Sequence, residues 1–88
     1  MRVILNVRHW LPILTFCPVN NLPDPIYVTV KFETFCELYA VRKKIKELLS
    51  LKTIFMVDAA KLILDAFPEA TEVTVTLAFN RHVVVVRR

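Results

Sequence analysis

Residues 72 to 86 read EVTVTLAFNRHVVVV, and this stretch does most to decide the fold. From Glu72 to Phe79, large apolar residues occupy every second position, which predicts a strand with one buried face. Asn80-Arg81 then predicts a two-residue turn, because asparagine tolerates a positive φ. The apolar run from Val83 to Val86 predicts a further strand, buried on both faces. The stretch is therefore expected to form an antiparallel hairpin.

Two helices are predicted ahead of this hairpin. Apolar residues recur at helical spacing from about Phe35 to Leu51. Thr34 is the expected N-cap of this helix, because Glu37 follows it at capping-box spacing. The second helix is predicted from about Thr53 to Phe67. It is expected to be packed on most sides, because its polar residues form one narrow stripe: Asp58, Lys61 and Asp65.

The beginning of the chain predicts another pair of strands. The first runs from Arg2 to Trp10, and Leu11-Pro12 is expected to break its pattern. A loop from Cys17 to Pro25 contains three prolines and two asparagines, and a strand from Ile26 to Glu33 follows it. The order ββααββ predicts one α+β domain over residues 1–88, a four-stranded antiparallel sheet with both helices on one face.

Composition limits the possible functions of this 88-residue chain. Glycine is absent, which excludes the P-loop and the GxGxxG dinucleotide motif, because both need glycine for a close approach to phosphate. The apolar fraction of 56% is high for a small monomer. We therefore expect other subunits to cover part of the surface, as in homo-oligomers.

The charges and the cysteines suggest a compartment and a partner. The net charge of +4 suits an anionic partner such as RNA. Cys17 and Cys36 form no CxxC motif, and the only histidines are His9 and His82, so no metal site is predicted. Cys36 is expected to be structural. No secretory leader is recognised and no apolar run reaches membrane-spanning length, so a cytoplasmic protein with reduced thiols is expected.

Cys17 and Asp24 are the strongest candidates for chemistry. Cysteine is the best nucleophile among side chains, and loops on rigid scaffolds often carry reactive groups. Asp24 lies seven residues on, between two prolines that stiffen the loop, so its carboxylate could fold back near the sulfur. The alternative interpretation makes Cys17 a small buried residue and Asp24 a turn residue.

The loop itself resembles that of a known enzyme family. Residues 17 to 24 read CPVNNLPD, which is similar to Cys-Pro-x-Thr-Gly-Gln-Pro-Asp in the QueF nitrile reductases. The order ββααββ also resembles the tunnelling fold (T-fold) of that family. The resemblance implies that Cys17 attacks the nitrile carbon of 7-cyano-7-deazaguanine to form a thioimide. It implies that Asp24 moves the protons.

One departure from the reductases changes the implied reaction. Reductases carry Glu-Ser-Lys-Ser-x-Lys, a segment tied to NADPH, whereas the segment here keeps Glu33 and Thr34 and lacks both lysines. It therefore resembles the archaeal QueF-like archaeosine synthases, which use no NADPH cofactor. In these, ammonia attacks the thioimide of a base already in tRNA. The alternatives are an NADPH-dependent reductase of the free base and a non-catalytic ferredoxin-like module that binds RNA or a partner.

Further residues are candidates for binding. Glu33 and Thr34 could recognise the base edge, although Thr34 could equally be a helix N-cap. The reductases have a His-Glu pair near the start of the second helix, and this chain lacks it; Asp58 is the only acid nearby and could instead belong to a solvated stripe. A ring of T-fold subunits is expected, with sites at the subunit boundaries. The candidates for tRNA phosphates, which could also be solvated charges, are Arg42, Lys43, Lys44, Lys46, Arg87 and Arg88.

Overall fold

The predicted order of elements is confirmed. A computed structural model describes residues 7–35, 37–78 and 82–88. Its elements are β1 (Val7–Phe16), β2 (Pro23–Phe32), α1 (Leu38–Leu49), α2 (Met56–Ala66), β3 (Ala70–Leu77) and β4 (Val83–Arg87).

The four strands form one antiparallel sheet in the order β1-β2-β3-β4. Leu11 lies opposite Val28, which lies opposite Val75, so that one row of side chains crosses three strands. Both helices pack on the face to which these residues point, which confirms the predicted α+β architecture. The other face carries the alternate residues, among them Trp10 and Tyr27, whose rings stack with centroids 4.8 Å apart.

The core lies between this sheet and the helices. Fully burying one valine, leucine or isoleucine side chain contributes about 1.5–3 kcal/mol, so these core residues stabilise the packing of the helices on the sheet. His9 is a polar residue in this apolar core. It is 5% exposed, and neither of its ring nitrogens has a hydrogen-bond partner among the described residues. The apolar side chains with no exposed surface include Val28, Val30, Ile45, Leu49, Ile63, Val73 and Val75.

Strand β1 continues where the sequence predicted a break. Pro12 lies within it, opposite Tyr27, and the strand ends at Phe16. Proline removes a backbone donor, but β1 is an edge strand of the described sheet, where the lost donor need not break a ladder. The alternation that buries Leu11 and Ile13 therefore continues through the proline. The first part of the predicted strand, residues 2–6, lies outside the described residues.

Extension of β1 also lengthens β2 and shortens the loop between them. Phe16 pairs with Pro23 and Thr15 with Asp24, so β2 begins three residues before the predicted Ile26. The loop is reduced to residues 17–22. Asp24 is consequently a strand residue and not the loop residue that the prolines suggested.

Helix α1 begins later than predicted, and its N-cap is Glu37 instead of Thr34. The Glu37 carboxylate accepts hydrogen bonds from the backbone N–H groups of Tyr39, at 2.9 Å, and Ala40, at 2.7 Å. These two bonds, with a smaller contribution from His9, hold the pKa of Glu37 below its ordinary value of 4.5. A charged side chain that satisfies two free N–H groups replaces the hydroxyl cap that the capping-box pattern predicted.

Two further predictions were wrong about burial or boundaries. Helix α2 begins at Met56, because Thr53 pairs with Phe16 of β1 and is not free to enter the helix. The predicted polar stripe of Asp58, Lys61 and Asp65 is exposed, and Val57, which is 44% exposed, adds an apolar residue to the solvent side. Strand β4 is an edge strand whose outer residues, such as Val83, are exposed rather than buried on both faces. The predicted turn at residues 80–81 lies outside the described residues.

Candidate active site

Backbone pairing holds Cys17 beside the start of α2. Cys17 immediately follows β1, and the connection between the helices runs alongside the end of that strand. The Phe16 N–H donates to the Lys52 carbonyl oxygen at 2.8 Å, and the Ile54 N–H donates to the Phe16 carbonyl oxygen at 3.1 Å. These bonds fix the residues before Cys17 against those before α2, so the two segments cannot separate without breaking them.

The loop after Cys17 is closed by its own hydrogen bonds. The Cys17 N–H donates to the Leu22 carbonyl oxygen at 3.0 Å, and the Asn21 N–H donates to the Cys17 carbonyl oxygen at 2.8 Å. Asn20 accepts from the Leu22 N–H through its side-chain oxygen. Asn21 has φ of 56°, in the left-handed region, at the position where the motif of the reductases has glycine. Asparagine is one of the few residues besides glycine that adopt this conformation readily.

Asp24 is positioned by the strand pair. It lies opposite Thr15, and the Thr15 hydroxyl donates to the Asp24 carbonyl oxygen at 3.0 Å. Thr15 is 2% exposed, so this bond is sheltered from water. The main chain of Asp24 is thereby fixed, while its half-buried side chain lines the same cavity as Cys17.

The cavity brings three predicted site residues together: Cys17, Asp24 and Asp58. Its volume is about 420 Å³, within the range of small-molecule sites. Apolar side chains supply most of the lining, and the two carboxylates and the thiol are its reactive groups. The remaining lining residues are Pro18, Ile54, Phe55, Met56 and Val57.

The first turn of α2 forms one wall of this cavity. Phe55 is its N-cap and makes no side-chain capping bond. The first N–H groups of a helix have no partner within the helix, and they carry its positive partial charge. The N–H groups of this wall can therefore donate to hydrogen-bond acceptors in the cavity, beside the carboxylate that Asp58 contributes from the same turn. This wall was not predicted from the sequence, because the start of α2 was predicted at Thr53.

Glu33 and Thr34 are not brought to this cavity within one chain. Both are exposed, and they follow the end of β2, whereas Asp24 lies near its start. Strand β2 has 10 residues, so about 30 Å of backbone separates them. A site that combines Cys17 with Glu33 therefore needs two copies of the chain.

Three of the six predicted phosphate contacts already have partners within the chain. Lys44 Nζ donates to the Ala66 carbonyl oxygen at 2.7 Å and lies 5.0 Å from the centre of the Phe67 ring. Arg87 pairs with Glu72 at 2.6 Å, which together with weaker charge contacts lowers the pKa of Glu72. Arg88 donates to the carbonyl oxygens of Leu64, Phe67 and Ala70.

The other three cations lie on one open surface. Arg42, Lys43 and Lys46 line a shallow cavity of about 600 Å³ together with Tyr39 and Glu47. Sequence reasoning missed Tyr39, although its spacing of three, four and seven residues from the cations places all four on one helix face. The structure thus divides the predicted basic set into a paired half and an open half.

No family model matches the chain, and no curated protein matches it. Among the described residues no helix is long and apolar enough to cross a membrane, and no three His, Cys, Asp or Glu side chains cluster as metal ligands.

The fold does have a match among solved structures. The four-stranded sheet and the two helices form an α+β fold of the T-fold (ββααββ) type. The chain is similar to the crystal structure of the archaeosine synthase QueF-Like in the apo form, with a TM-score of 0.70. The match covers 97% of this chain and 92% of that chain at 18% sequence identity. At this identity the likeness establishes the fold, and the chemistry must be argued from the site.

Proposed function

We propose that this protein is an amidinotransferase that converts the nitrile of 7-cyano-7-deazaguanine in tRNA to the formamidine of archaeosine, with ammonia as the second substrate. The observation that carries the proposal is the shared cavity of Cys17, Asp24 and Asp58. A thiol and a carboxylate lie on this cavity together with the N-terminus of α2, and this combination supports a nucleophile with a proton carrier beside it. The likeness to an archaeosine synthase fold supports the same assignment.

The reaction begins with addition of the Cys17 thiol to the nitrile. A bond forms between Sγ and the nitrile carbon, while the thiol proton passes by way of Asp24 to the nitrile nitrogen, giving a thioimide. Ammonia then adds to the same carbon. The carbon–sulfur bond breaks, and one ammonia proton returns to the sulfur. The sum is nitrile plus ammonia giving amidine, with no change of oxidation state, so the cycle needs no hydride donor.

The walls of the cavity suit the base. Its apolar lining can cover the faces of a flat ring, and its volume is sufficient for one base. Asp58 lies in the first turn of α2, where its carboxylate can accept hydrogen bonds from ring N–H and amino groups of the base. The free N–H groups of the same turn can donate to a carbonyl oxygen or to the nitrile nitrogen as it gains charge.

We further propose that residues 1–88 form one T-fold subunit of a homo-oligomeric ring, in which Glu33 and Thr34 of a neighbouring copy complete base recognition. Both edge strands, β1 and β4, can pair with other copies. Around the Cys17 cavity, Val19 is 79% exposed and Leu22 is 58% exposed, which leaves an apolar rim for a neighbour to cover. A light-scattering mass near 10 kDa at micromolar concentration would contradict the ring. We also propose that the protein is located in the cytoplasm.

The test of the activity is a covalent adduct. The protein is incubated with 7-cyano-7-deazaguanine, and intact-mass and peptide measurements locate any mass gain. We expect the gain on Cys17, its loss in Cys17→Ala, and its retention in Cys36→Ala. Release of a formamidine product by ammonium, and not of a reduced product by NADPH, separates the proposal from a nitrile reductase. If no adduct forms on Cys17 under any condition, the non-catalytic binding module becomes the better interpretation.

A further inference from the structure

The outward side of α1 carries an exposed aromatic ring among cations. We call Tyr39, Arg42, Lys43 and Lys46 the α1 outer face. Tyr39 is 78% exposed, and Lys43 and Lys46 are exposed as well. In the described part of the chain, none of the three cations has a hydrogen bond or an ion pair from its side chain. The face therefore carries three cations without such contacts, against one carboxylate, Glu47, which lines the same shallow cavity.

The orientation of this face is fixed by the rest of α1. Val41, Ile45 and Leu49 bury the opposite side of the helix in the core. The Tyr39 N–H is held by Glu37 at 2.9 Å, which anchors the first turn. Lys44 differs from these three cations, because its Nζ donates a hydrogen bond to the Ala66 carbonyl oxygen at the end of α2. The open cations are thus confined to the side that presents Tyr39.

We infer that the α1 outer face binds unpaired RNA nucleotides, with one base stacked on the Tyr39 ring and neighbouring phosphates on Arg42, Lys43 and Lys46. Single-stranded nucleic acid is bound by the combination of a cationic surface for the backbone and an aromatic ring for a base. An acidic peptide would use the cations and leave the ring without a role. The inference rests on the proposed function, since it takes RNA to be the substrate.

The position of this face defines its role. It lies on the outer side of α1, whereas Cys17 lies beyond the other end of that helix, beside the start of α2. Helix α1 has 12 residues and so is about 18 Å long, which a few nucleotides can span. RNA held here would be anchored away from the reacting base, so this face would contribute affinity and not catalysis.

The experiment measures binding of a short fluorescent single-stranded RNA and of an unmodified tRNA transcript to Cys17→Ala protein over a series of salt concentrations. In that background, Tyr39→Leu should weaken binding of both by about 5–150-fold, the equivalent of about 1–3 kcal/mol per stacked base. The salt slope should not change, because no charge is lost. Tyr39→Phe should bind normally, because it keeps the ring.

Removing one charge should produce the opposite signature. Lys43→Gln should reduce the salt slope by about 0.7 for single-stranded RNA, whereas the matched control Lys61→Gln, on the exposed stripe of α2, should leave it unchanged.

Unchanged RNA affinity in Tyr39→Leu would overturn the inference. So would equal loss of affinity for heparin in Tyr39→Leu, which would assign the face to polyanions in general, or equally tight binding of polyglutamate, which would assign it to an acidic protein. A drop in light-scattering mass in Tyr39→Leu would overturn it too, by assigning the face to a subunit contact.

Failure here can be told apart from failure of the proposed function. Adduct formation between free 7-cyano-7-deazaguanine and Cys17 needs no RNA, and we expect it to proceed at the wild-type rate in Tyr39→Leu. A protein that forms the adduct but binds RNA without Tyr39 would retain the proposed chemistry and lose only this inference.

Discussion

The two ends of α2 are built for different purposes. At its N-terminus, Phe55 provides no side-chain cap, and the first turn forms a wall of the cavity that holds Cys17. At its C-terminus, the carbonyl oxygens of Leu64, Ala66 and Phe67 accept hydrogen bonds from Lys44 and Arg88. One end thus leaves its backbone groups available to a ligand, and the other end has them satisfied by cations from α1 and from the residue after β4.

The difference shows how a small fold can keep a reactive end and a stable end on one helix. Unsatisfied helix termini cost stability, whereas cations near a C-terminus stabilise it by about 0.3–1 kcal/mol each. Lys44 and Arg88 therefore help to offset the open N-terminus of the same helix. Substitutions around the N-terminus of α2 should change the rate of adduct formation, and substitutions around its C-terminus should change the free energy of unfolding.

The largest expected effect is in the cavity beside the N-terminus of α2, in Asp24→Asn. The amide keeps the shape of the carboxylate but cannot carry a proton from sulfur to nitrogen. We expect adduct formation with 7-cyano-7-deazaguanine to slow by about 10²–10⁴-fold near pH 7. Raising the pH should recover part of the loss, because hydroxide can then remove the thiol proton. Adduct formation at the wild-type rate near pH 7 would remove Asp24 from the mechanism.

The next effect is at the stable end, in Arg88→Ala. Loss of hydrogen bonds to three carbonyl oxygens should lower the free energy of unfolding by about 1–2 kcal/mol, measured by denaturant titration. Arg87→Ala is the matched control, since its ion pair with Glu72 is exposed and should contribute less than about 1 kcal/mol. The adduct rate of both variants below their melting temperatures should equal that of the wild type. A slower rate in Arg88→Ala would show that the two ends of α2 are coupled.

The sequence predicted most of the fold, because the strand and helix periods are clear. Its Cys-Pro-…-Pro-Asp motif predicted that Asp24 lies near Cys17, and the structure puts Cys17 directly after β1 and Asp24 near the start of β2, where both line one cavity. It failed where tertiary contacts override local pattern. Pro12 does not interrupt β1, because β1 is an edge strand of the described sheet. Thr53 lies outside α2, because it pairs with Phe16.

The binding residues were harder to predict than the catalytic pair. Six cations looked alike in sequence, yet Lys44 and Arg88 satisfy the end of α2 and Arg87 pairs across two strands. A side chain that reaches a distant carbonyl oxygen leaves no local trace in the sequence. For the same reason, the sequence could not show that Glu33 lies one strand length from Cys17.

A smaller effect is expected in the loop between β1 and β2, which begins with Cys17. Asn21 has φ of 56°, which costs most residues about 1–2 kcal/mol and glycine almost nothing. Asn21→Gly should therefore leave stability within about 0.5 kcal/mol, while Asn21→Ala should lower it by about 1 kcal/mol. Both are measured by denaturant titration. If Asn21→Ala is as stable as the wild type, the loop does not depend on the left-handed residue.

The smallest effect concerns the capped helix, α1, which is the counterpart of the uncapped N-terminus of α2. The Glu37 carboxylate accepts from the N–H groups of Tyr39 and Ala40, and these bonds lower its pKa in the folded chain below 4.5. The folded state therefore binds the proton less readily than the unfolded state, so the capping contribution is present above about pH 4.5 and is lost as the pH falls through the lowered pKa. Glu37→Gln should reduce the melting temperature at pH 7 and make little difference once the wild-type carboxylate is protonated.

Glu47→Gln, also exposed on α1 but outside its cap, is the control and should follow the wild-type pH profile. A gap between Glu37→Gln and wild type that stays constant from pH 7 to pH 2 would mean that the charge of Glu37 does not cap α1.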